Sequence, residues 1–337
     1  MQESCIMNKS ILAIAVLAAS VAAPAAIAAP TVYGNIHLTV NDFDSNNDLN
    51  MNSHTSAIGV KGSEDLGDGM KAIYKAEFQL DAAKGGFAGG QPDNTGSTTG
   101  GNALTQRDVF VGLKGGMGTV KFGTFSSNYK QKGGKVDSLY RTPVEGRGFL
   151  QTQSRLHNGR AVNRGRMTNA VSYTSPKMGG IQLVANTTFS NSPDETIGVG
   201  VRYSAKAFMA YLDWIDTVPG GASVATGATE SAIKVGGKFK TKAFHVAGQF
   251  ESAEDVTGYD YIHVNAGYNI NKNNSIQVTV GQATHVNNSA ADTQSFAVAY
   301  NHQLSKMTNV YVAYGDKSSD TAAIENSAFA LGIKKKF

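Results

Sequence analysis

The chain has 337 residues, of which 38 are glycine and 7 are proline, and 17% are charged. The net charge of +4 is too small and too scattered along the chain to indicate a nucleic-acid-binding surface. A mean hydropathy of −0.22 argues against a bundle of membrane-spanning helices. The single cysteine, Cys5, lies beside the N-terminus, so the sequence does not predict a fold held by disulfides.

The N-terminal stretch has the three parts of a secretory signal peptide. Lys9 supplies a positive start, an apolar run follows, and Ala26–Ala28 form a small-residue cleavage site. We therefore predict a signal peptide over residues 1–28, with Met7 a candidate true start, and one domain over residues 29–337. The alternative, an uncleaved anchor helix, is disfavoured because a proline interrupts the stretch and the apolar run is short.

The rest of the chain alternates between apolar and polar residues, which is the period of a β-strand. In YIHVNAGYNI, residues 261–270, Ile262 and Val264 share one face while His263 and Asn265 share the other. The same pattern predicts sixteen strands, over residues 31–42, 54–62, 70–81, 104–114, 118–125, 166–175, 180–190, 196–204, 206–216, 229–239, 243–253, 258–269, 275–285, 292–303, 308–316 and 327–337.

The connections between these strands alternate in length. Every second one is short, as in GSEDLGDG, SAKA and QLSKM, whereas the others include the long stretches 82–103 and 126–165. Short turns at one end and longer loops at the other are typical of an outer-membrane β-barrel. A secreted soluble β-sandwich is the rival interpretation, but it does not explain this parity or the Gly-, Asn- and Lys-rich polar face.

The chain ends on an aromatic residue, Phe337, directly after three lysines. In a closed barrel the last strand must pair with the first, because lipid cannot solvate an open sheet edge. Phe329, Leu331, Ile333 and Phe337 fall on one face of this strand. We therefore predict that this face contacts lipid.

At this point the sequence resembles the general, non-specific Gram-negative porins, which are trimeric barrels of sixteen antiparallel strands. The resemblance rests on TVYGNIHLTV, 31–40; SAIGVKGSEDLGDGMKAIYKAEFQL, 56–80; TQRDVFVGLKGGMGTVKFG, 105–123; and RMTNAVSYTSPKMGG, 166–180. It covers essentially the whole domain and implies short periplasmic turns, longer extracellular loops and a third loop folded into the pore.

The resemblance also implies a set of partners. These are two further copies of the chain in a homotrimer, outer-membrane lipid and lipopolysaccharide, and small hydrophilic solutes and ions. The final aromatic, Phe337, resembles the signal that the barrel assembly machinery reads. Neither a nucleic acid nor a cofactor is expected.

In the family, acidic residues of the third loop face arginines on the barrel wall. Glu145 in TPVEGRG best matches the acidic position at the loop tip, with Asp137 a second candidate. Arg107 and Arg166 match two wall arginines by their neighbours, and the strand period places Arg166 on the same face as Thr168, Ala170 and Ser172. The predicted constriction consists of Arg107, Asp137, Arg141, Glu145, Arg147 and Arg166.

Further basic residues fall on the polar phase of predicted strands. They are Lys71, Lys75, Lys121, Arg202, Lys234 and Lys238, offset in part by Glu77 and Glu251. Because a basic lumen concentrates anions, we predict a passive, water-filled pore with a weak anion preference. The alternatives are a channel selective for sugar or phosphate and a plugged barrel acting as an adhesin.

The sequence predicts neither an enzyme nor a metal site. The seven histidines show no paired metal-ligand spacing, and no GxSxG motif is present. Asp42, Asp44 and Asp48 have the alternate spacing of a calcium loop, but the glycine and terminal glutamate of such a loop are missing. We interpret them as a solvated loop.

Overall fold

The computed structural model describes residues 29–44, 49–83, 104–157, 165–189, 196–217 and 230–337. The predicted signal peptide therefore lies outside the described residues. The strands are β1 Thr31–Phe43, β2 Asn50–Ser53, β3 Ala57–Gly67, β4 Met70–Gln79, β5 Thr105–Gly115, β6 Gly118–Ser126, β7 Arg166–Thr174, β8 Ile181–Thr188, β9 Ile197–Ser204, β10 Phe208–Thr217, β11 Glu230–Lys240, β12 Phe244–Ala253, β13 Tyr259–Asn269, β14 Asn274–His285, β15 Thr293–Ser305, β16 Thr308–Ser318 and β17 Asn326–Lys336.

All of these strands form one antiparallel sheet that closes on itself, because β17 pairs with β1. The backbone N–H of Phe337 donates to the carbonyl oxygen of Gly34 at 3.1 Å, and the N–H of Gly34 donates back at 3.0 Å. A Cβ at Gly34 would lie 2.6 Å from the backbone carbonyl oxygen of Ala57, as well as against the Phe337 ring, so glycine is needed at this position. The predicted closure by the last strand is confirmed.

The wall contains sixteen strands, as predicted, if β2 and β3 count as one interrupted strand. Both pair with β1, which meets Ser53 of β2 through Leu38 and Ala57 of β3 through Asn35. Between these pairs, residues 54–56 lie opposite residues 36–37 of β1, so the interrupted strand has one extra residue. Thr55, within the interruption, has a positive φ of 56°. The closed sixteen-stranded barrel is thus confirmed, and the soluble sandwich is excluded.

Alternate residues along each strand have opposite environments. On β13, Ile262 and Val264 are 49% and 48% exposed, whereas His263 and Asn265 are almost fully buried. The exposed phase is apolar and the buried phase is polar, which is the reverse of a soluble sheet whose apolar face forms the core. We call the buried, polar phase the inner face.

Two strand predictions need correction. The stretch GSEDLGDG was predicted as a turn, but β3 continues to Gly67 and only Asp68 and Gly69 form the turn. On β7, Ala170 and Ser172 are buried as predicted, whereas Thr168 is exposed. Here β6 and β7 shift register, because Gly123 pairs with Ala170 and Phe125 with Met167. The β-bulge on β7 changes the phase of the strand.

Helices are few and short. They are α1, Asn128–Val136, and α2, Glu254–Thr257, with 3-10 turns at Arg155–His157 and Ser289–Ala291. Within the described ranges, neither helix is long and apolar enough to cross a bilayer.

Candidate functional site

Residues 127–157 lie against the inner face of the barrel and form the most extensive structure there. We call them the inner segment. The segment begins with α1, whose N-cap, Ser127, accepts a hydrogen bond from the backbone N–H of Lys130 at 3.2 Å. Asn128 then donates to Asp213 on β10 at 3.1 Å and to the carbonyl oxygen of Val199 on β9 at 2.8 Å. Gly198 makes room for this contact, because a Cβ there would overlap the Asn128 side chain.

Apolar contacts hold the second half of the inner segment. Its side chains pack on the inner face, where four alanines leave space for them. The cluster contains Leu139, Val144, Phe149 and Leu150 of the segment and Ala297, Ala299, Tyr311, Ala313 and Ala328 of the wall. Burial of this size fixes the position of the segment, since each fully buried Leu, Val or Phe side chain contributes about 1.5–3 kcal/mol.

A buried polar cluster holds the end of the segment, and we call it the loop anchor: Tyr129, Ser154, His157, Lys234 and Glu251. The Nε2 of His157 lies 2.8 Å from the Nζ of Lys234, and its Nδ1 lies 3.6 Å from Glu251. The backbone N–H of Ser154 donates to Glu251 at 3.0 Å, and its hydroxyl donates to the same carboxylate. Lys234 also donates to the carbonyl oxygen of Tyr129.

The protonation state of the loop anchor follows from its geometry. An ammonium group has no acceptor, so the Nε2 of His157 must accept from Lys234 and the ring proton must sit on Nδ1. Burial, and next the charge of Lys234, hold the pKa of His157 well below its usual value, which keeps the imidazole neutral. Lys234 is only 1% exposed. This predicted pore-lining residue thus lies on the inner face but beneath the inner segment.

The middle of the inner segment carries four predicted constriction residues. Arg147 donates from Nε to Glu145 at 2.6 Å, and the backbone N–H of Arg141 donates to the same carboxylate at 2.6 Å. Asp137 accepts from the backbone N–H groups of Leu139 and Gly146, both at 2.9 Å. Glu145 is therefore paired within its own segment.

Burial, and next the charge of Glu145, raise the pKa of Asp137 to about 7. Its two N–H donors act in the opposite direction, because they favour the charged carboxylate. The raised value places the titration of Asp137 near neutral pH, so ordinary changes of pH can alter its charge.

On the opposite part of the wall, five charged residues and a tyrosine form the open charge network: Tyr33, Lys75, Glu77, Arg107, Asp108 and Arg166. Arg107 donates from Nε to Glu77 at 2.6 Å, and Arg166 donates from Nε to Asp108 at 3.1 Å. Lys75 bridges the two carboxylates, at 3.1 Å from Glu77 and 3.0 Å from Asp108. The hydroxyl of Tyr33 donates to Glu77 at 2.8 Å.

A β-bulge brings Arg107 and Asp108 together in this network. Ala76 pairs with Val109 and Phe78 with Gln106, so Glu77 alone stands opposite both Arg107 and Asp108. Both side chains thus reach the same set of partners although they are adjacent in the sequence. Asp108 was not predicted. The sequence signal that could have indicated it is the pair of successive charges, Arg107 and Asp108, in a strand with one face toward lipid. Strict alternation would place one of the two in hydrocarbon, so the pair indicates a β-bulge.

Cations of the wall and of the inner segment influence each other electrostatically. Burial, and next the charges of Arg147, Arg166 and Arg107, hold the pKa of Lys130 well below its usual value. A group on α1 therefore senses both arginine sites. Lys130 is a residue that the predictions did not single out for the constriction.

The remaining predicted lining residues have different surroundings. Lys121 lies over the rings of Phe110 and Phe125, at 5.1 and 4.6 Å from their centroids. Arg202 donates to the Gln131 side chain at 2.9 Å, so it too supports the inner segment. Lys71 is exposed and Lys238 is half-buried. Asp213, which holds Asn128, was missed, although it follows the polar phase of β10.

No group of three or more His, Cys, Asp or Glu residues in the described part of the chain is arranged to hold a metal ion. The site instead consists of ion pairs and hydrogen-bonded carboxylates on the inner face, where Lys75 and Lys238 are partly exposed bases among the predicted lining residues. Such an arrangement can set an electrostatic potential for solutes without forming or breaking bonds.

Comparison with known sequences agrees with this architecture. The sequence profile of the Gram-negative porin family matches residues 13–322. The major outer membrane protein P.IB of Neisseria gonorrhoeae is 31% identical over 219 residues, which are 60% of this chain and 56% of that protein. The chain thus spans little more than half the length of the curated relatives it matches.

Solved structures share the fold at low sequence identity. An anion-selective porin from Comamonas acidovorans superposes with a TM-score of 0.73 and 18% identity, covering 92% of this chain and 99% of that one. OmpT of Vibrio cholerae in its trimer form gives a TM-score of 0.67 and 15% identity, with coverages of 92% and 99%. Both comparisons extend over nearly the whole barrel.

Proposed function

The chain belongs to the Gram-negative porin family, and we propose that it is a general diffusion porin of the outer membrane with a weak preference for anions. The family and the fold point to a channel rather than an enzyme. The observation that carries the proposal is the partly exposed inner face, where the open charge network lies opposite a segment anchored to the far wall.

The anion preference rests on the balance of charge between these two sides. In the open charge network Lys75, Arg107 and Arg166 face only Glu77 and Asp108. The inner segment also carries more basic than acidic side chains: Lys130, Lys132, Lys135, Arg141, Arg147 and Arg155 against Asp137 and Glu145. The solute path between them is net basic on both sides, which raises the local anion concentration. In this proposal each side of the constriction carries charges of both signs, in addition to the loop acids and wall bases that the family resemblance implies.

Single-channel recording in a planar bilayer tests the proposal. We expect ohmic conductance and, in a salt gradient, a reversal potential of the sign given by anion permeation that shrinks as salt rises. Cation preference would contradict the charge argument. Saturable block by one sugar or by phosphate would instead indicate a selective channel, and a protein with no conductance would indicate a plugged barrel.

The assembly is part of the same proposal. We infer a homotrimer, which is supported by the trimer form of OmpT among the structures that share the fold. Contact with lipopolysaccharide, recognition of Phe337 by the barrel assembly machinery and cleavage of the signal peptide after Ala28 complete it. Chemical cross-linking of the protein in its membrane tests the trimer, and N-terminal sequencing of the exported protein tests the cleavage site.

A further inference from the structure

The short turns of the barrel carry a repeated basic residue. A lysine lies in or beside each of five consecutive turns and again at the chain end, and we call this set the lysine belt: Lys177, Lys206, Lys242, Lys272, Lys306 and Lys335. All of these side chains are exposed. Among the described residues, none of these lysines forms an ion pair. Their charges are available to a partner outside the chain.

Large apolar side chains flank the lysine belt on the lipid-facing phase. Tyr203 and Phe208 stack across the turn that carries Lys206, with ring centroids 6.2 Å apart. Phe239 and Phe244 do so across the turn of Lys242, at 6.0 Å. The same boundary includes Met178, Tyr268, Leu304 and Phe337, which are 50–58% exposed. The lysines therefore lie at the level where the hydrocarbon-facing surface ends.

At the other short turns the nearest lysines lie within strands, because Lys71 belongs to β4 and Lys114 to β5. The turn between β3 and β4 carries Asp68, with Glu64 and Asp65 close by, and has no lysine in the turn itself. At the loop end, the exposed charges include the acids Glu254, Asp255, Asp320 and Glu325. The basic belt is thus a property of one end and of the strands from β7 to β17.

We propose that the lysine belt binds the phosphate groups of anionic phospholipids in the inner leaflet of the outer membrane. Short turns face the periplasm in barrels of this kind, which puts the belt at the headgroups of that leaflet. A ligand with a phosphate below and acyl chains above satisfies the ammonium groups and the aromatic side chains together, whereas a soluble anion meets only the lysines. This inference is independent of what the pore conducts.

Spin-labelled lipids in vesicles of phosphatidylcholine give the test. We expect labelled phosphatidylglycerol to associate with the full-length protein more strongly than labelled phosphatidylcholine, by about fivefold for a lipid held by one lysine at low salt. The preference should decline as salt rises. In a variant with Lys177→Gln, Lys206→Gln, Lys242→Gln, Lys272→Gln and Lys306→Gln it should fall to near one. The matched variant with arginine at these positions should keep it.

Equal association of the two lipids with the unaltered protein would overturn the proposal, and so would a glutamine variant that retains the preference. A parallel binding assay with soluble peptidoglycan fragments distinguishes binding of anionic lipid from binding of peptidoglycan, the other polyanion of the periplasm. If the glutamine variant lost fragment binding while its lipid preference stayed unchanged, the lysine belt would be a binding site for peptidoglycan and not for lipid. Conductance of each variant confirms that the barrel has folded.

Discussion

The open charge network and the loop anchor are built from the same residue types on the same inner face, yet their environments differ. Lys75 and Asp108 of the network keep 22% and 18% of their side-chain surface exposed. Lys234 and Glu251 of the anchor are 1% and 0% exposed, because the inner segment covers them. Lys75 and Asp108 therefore remain in contact with water, whereas the second set has exchanged its water for fixed hydrogen bonds. Charge on the inner face becomes functional or structural according to what covers it.

The largest difference between the two regions should appear when one lysine is removed from each. Lys234→Met leaves Glu251 buried without its cation, and we expect a loss of about 3–5 kcal/mol in the free energy of unfolding. Lys75→Met leaves Glu77 with Arg107 and Asp108 with Arg166, so the expected loss is about 0–1 kcal/mol. Denaturant unfolding in detergent measures both. Equal losses would remove the distinction between an anchored and an open region.

A larger side chain on the wall where α1 of the inner segment packs should have an intermediate effect on stability. In Gly198→Ala the new methyl group overlaps Asn128, so we expect a cost of roughly 1–3 kcal/mol and larger fluctuations of the open-channel current. The control is Gly116→Ala, since a Cβ there has no atom within 4 Å. Unfolding and current noise are recorded for both variants. If Gly198→Ala had the current noise and unfolding free energy of the unaltered protein, the position of α1 would not depend on this contact.

Neutralising the open charge network should alter selectivity more than stability. Lys75→Gln removes one positive charge from a base that keeps 22% of its side-chain surface exposed. We expect the anion-to-cation permeability ratio to fall roughly twofold, as for a unit charge about 8 Å from the ion path in water at about 0.1 M salt. Reversal potentials in a potassium chloride gradient provide the measurement. Lys234→Met, if it retains an open channel, is the contrast, because its charge is covered. A larger shift in that variant than in Lys75→Gln would contradict the assignment of the two regions.

The smallest expected effect is a pH dependence from Asp137. Burial raises its pKa to about 7, so the carboxyl is neutral at pH 5 and ionised at pH 9. The anion preference should therefore weaken, by less than twofold, as pH rises through 7. Reversal potentials across this range measure it, and Asp137→Asn should show no such step. If Asp137→Asn showed the same change in anion preference between pH 5 and pH 9, the titrating group would be a different residue.

The same proton affects stability with a definite sign. The folded protein binds the Asp137 proton more tightly than the unfolded chain does, because its pKa is raised above the usual value near 4. The stabilisation is present below about pH 4 and is lost as pH rises through 7. Measured against Asp137→Asn, the unfolding free energy of the unaltered protein should decline over this interval. A rise would reverse the sign of the shift.

The sequence by itself determined the barrel. Alternation of residues such as Ile262 and His263 assigned each side chain to lipid or to the interior, because neighbouring residues of a strand point to opposite faces. The order of short and long connections and the terminal Phe337 then implied closure, since every strand edge in a membrane must be paired. These signals are local or depend only on order along the chain, so they could be predicted without coordinates.

Only the tertiary structure decided which inner charges pair with each other and which stay partly exposed. The bulge opposite Glu77 brings Asp108 beside Arg107, which strict alternation does not allow. The inner segment covers Lys234 and pairs Glu145 with Arg147. It can lie there because small residues on distant strands leave room for its side chains. Such contacts join residues far apart in the chain, and no periodicity of a single strand encodes them. The physical reason is that exposure and pairing depend on what packs above a side chain, whereas the face it occupies depends on the backbone alone.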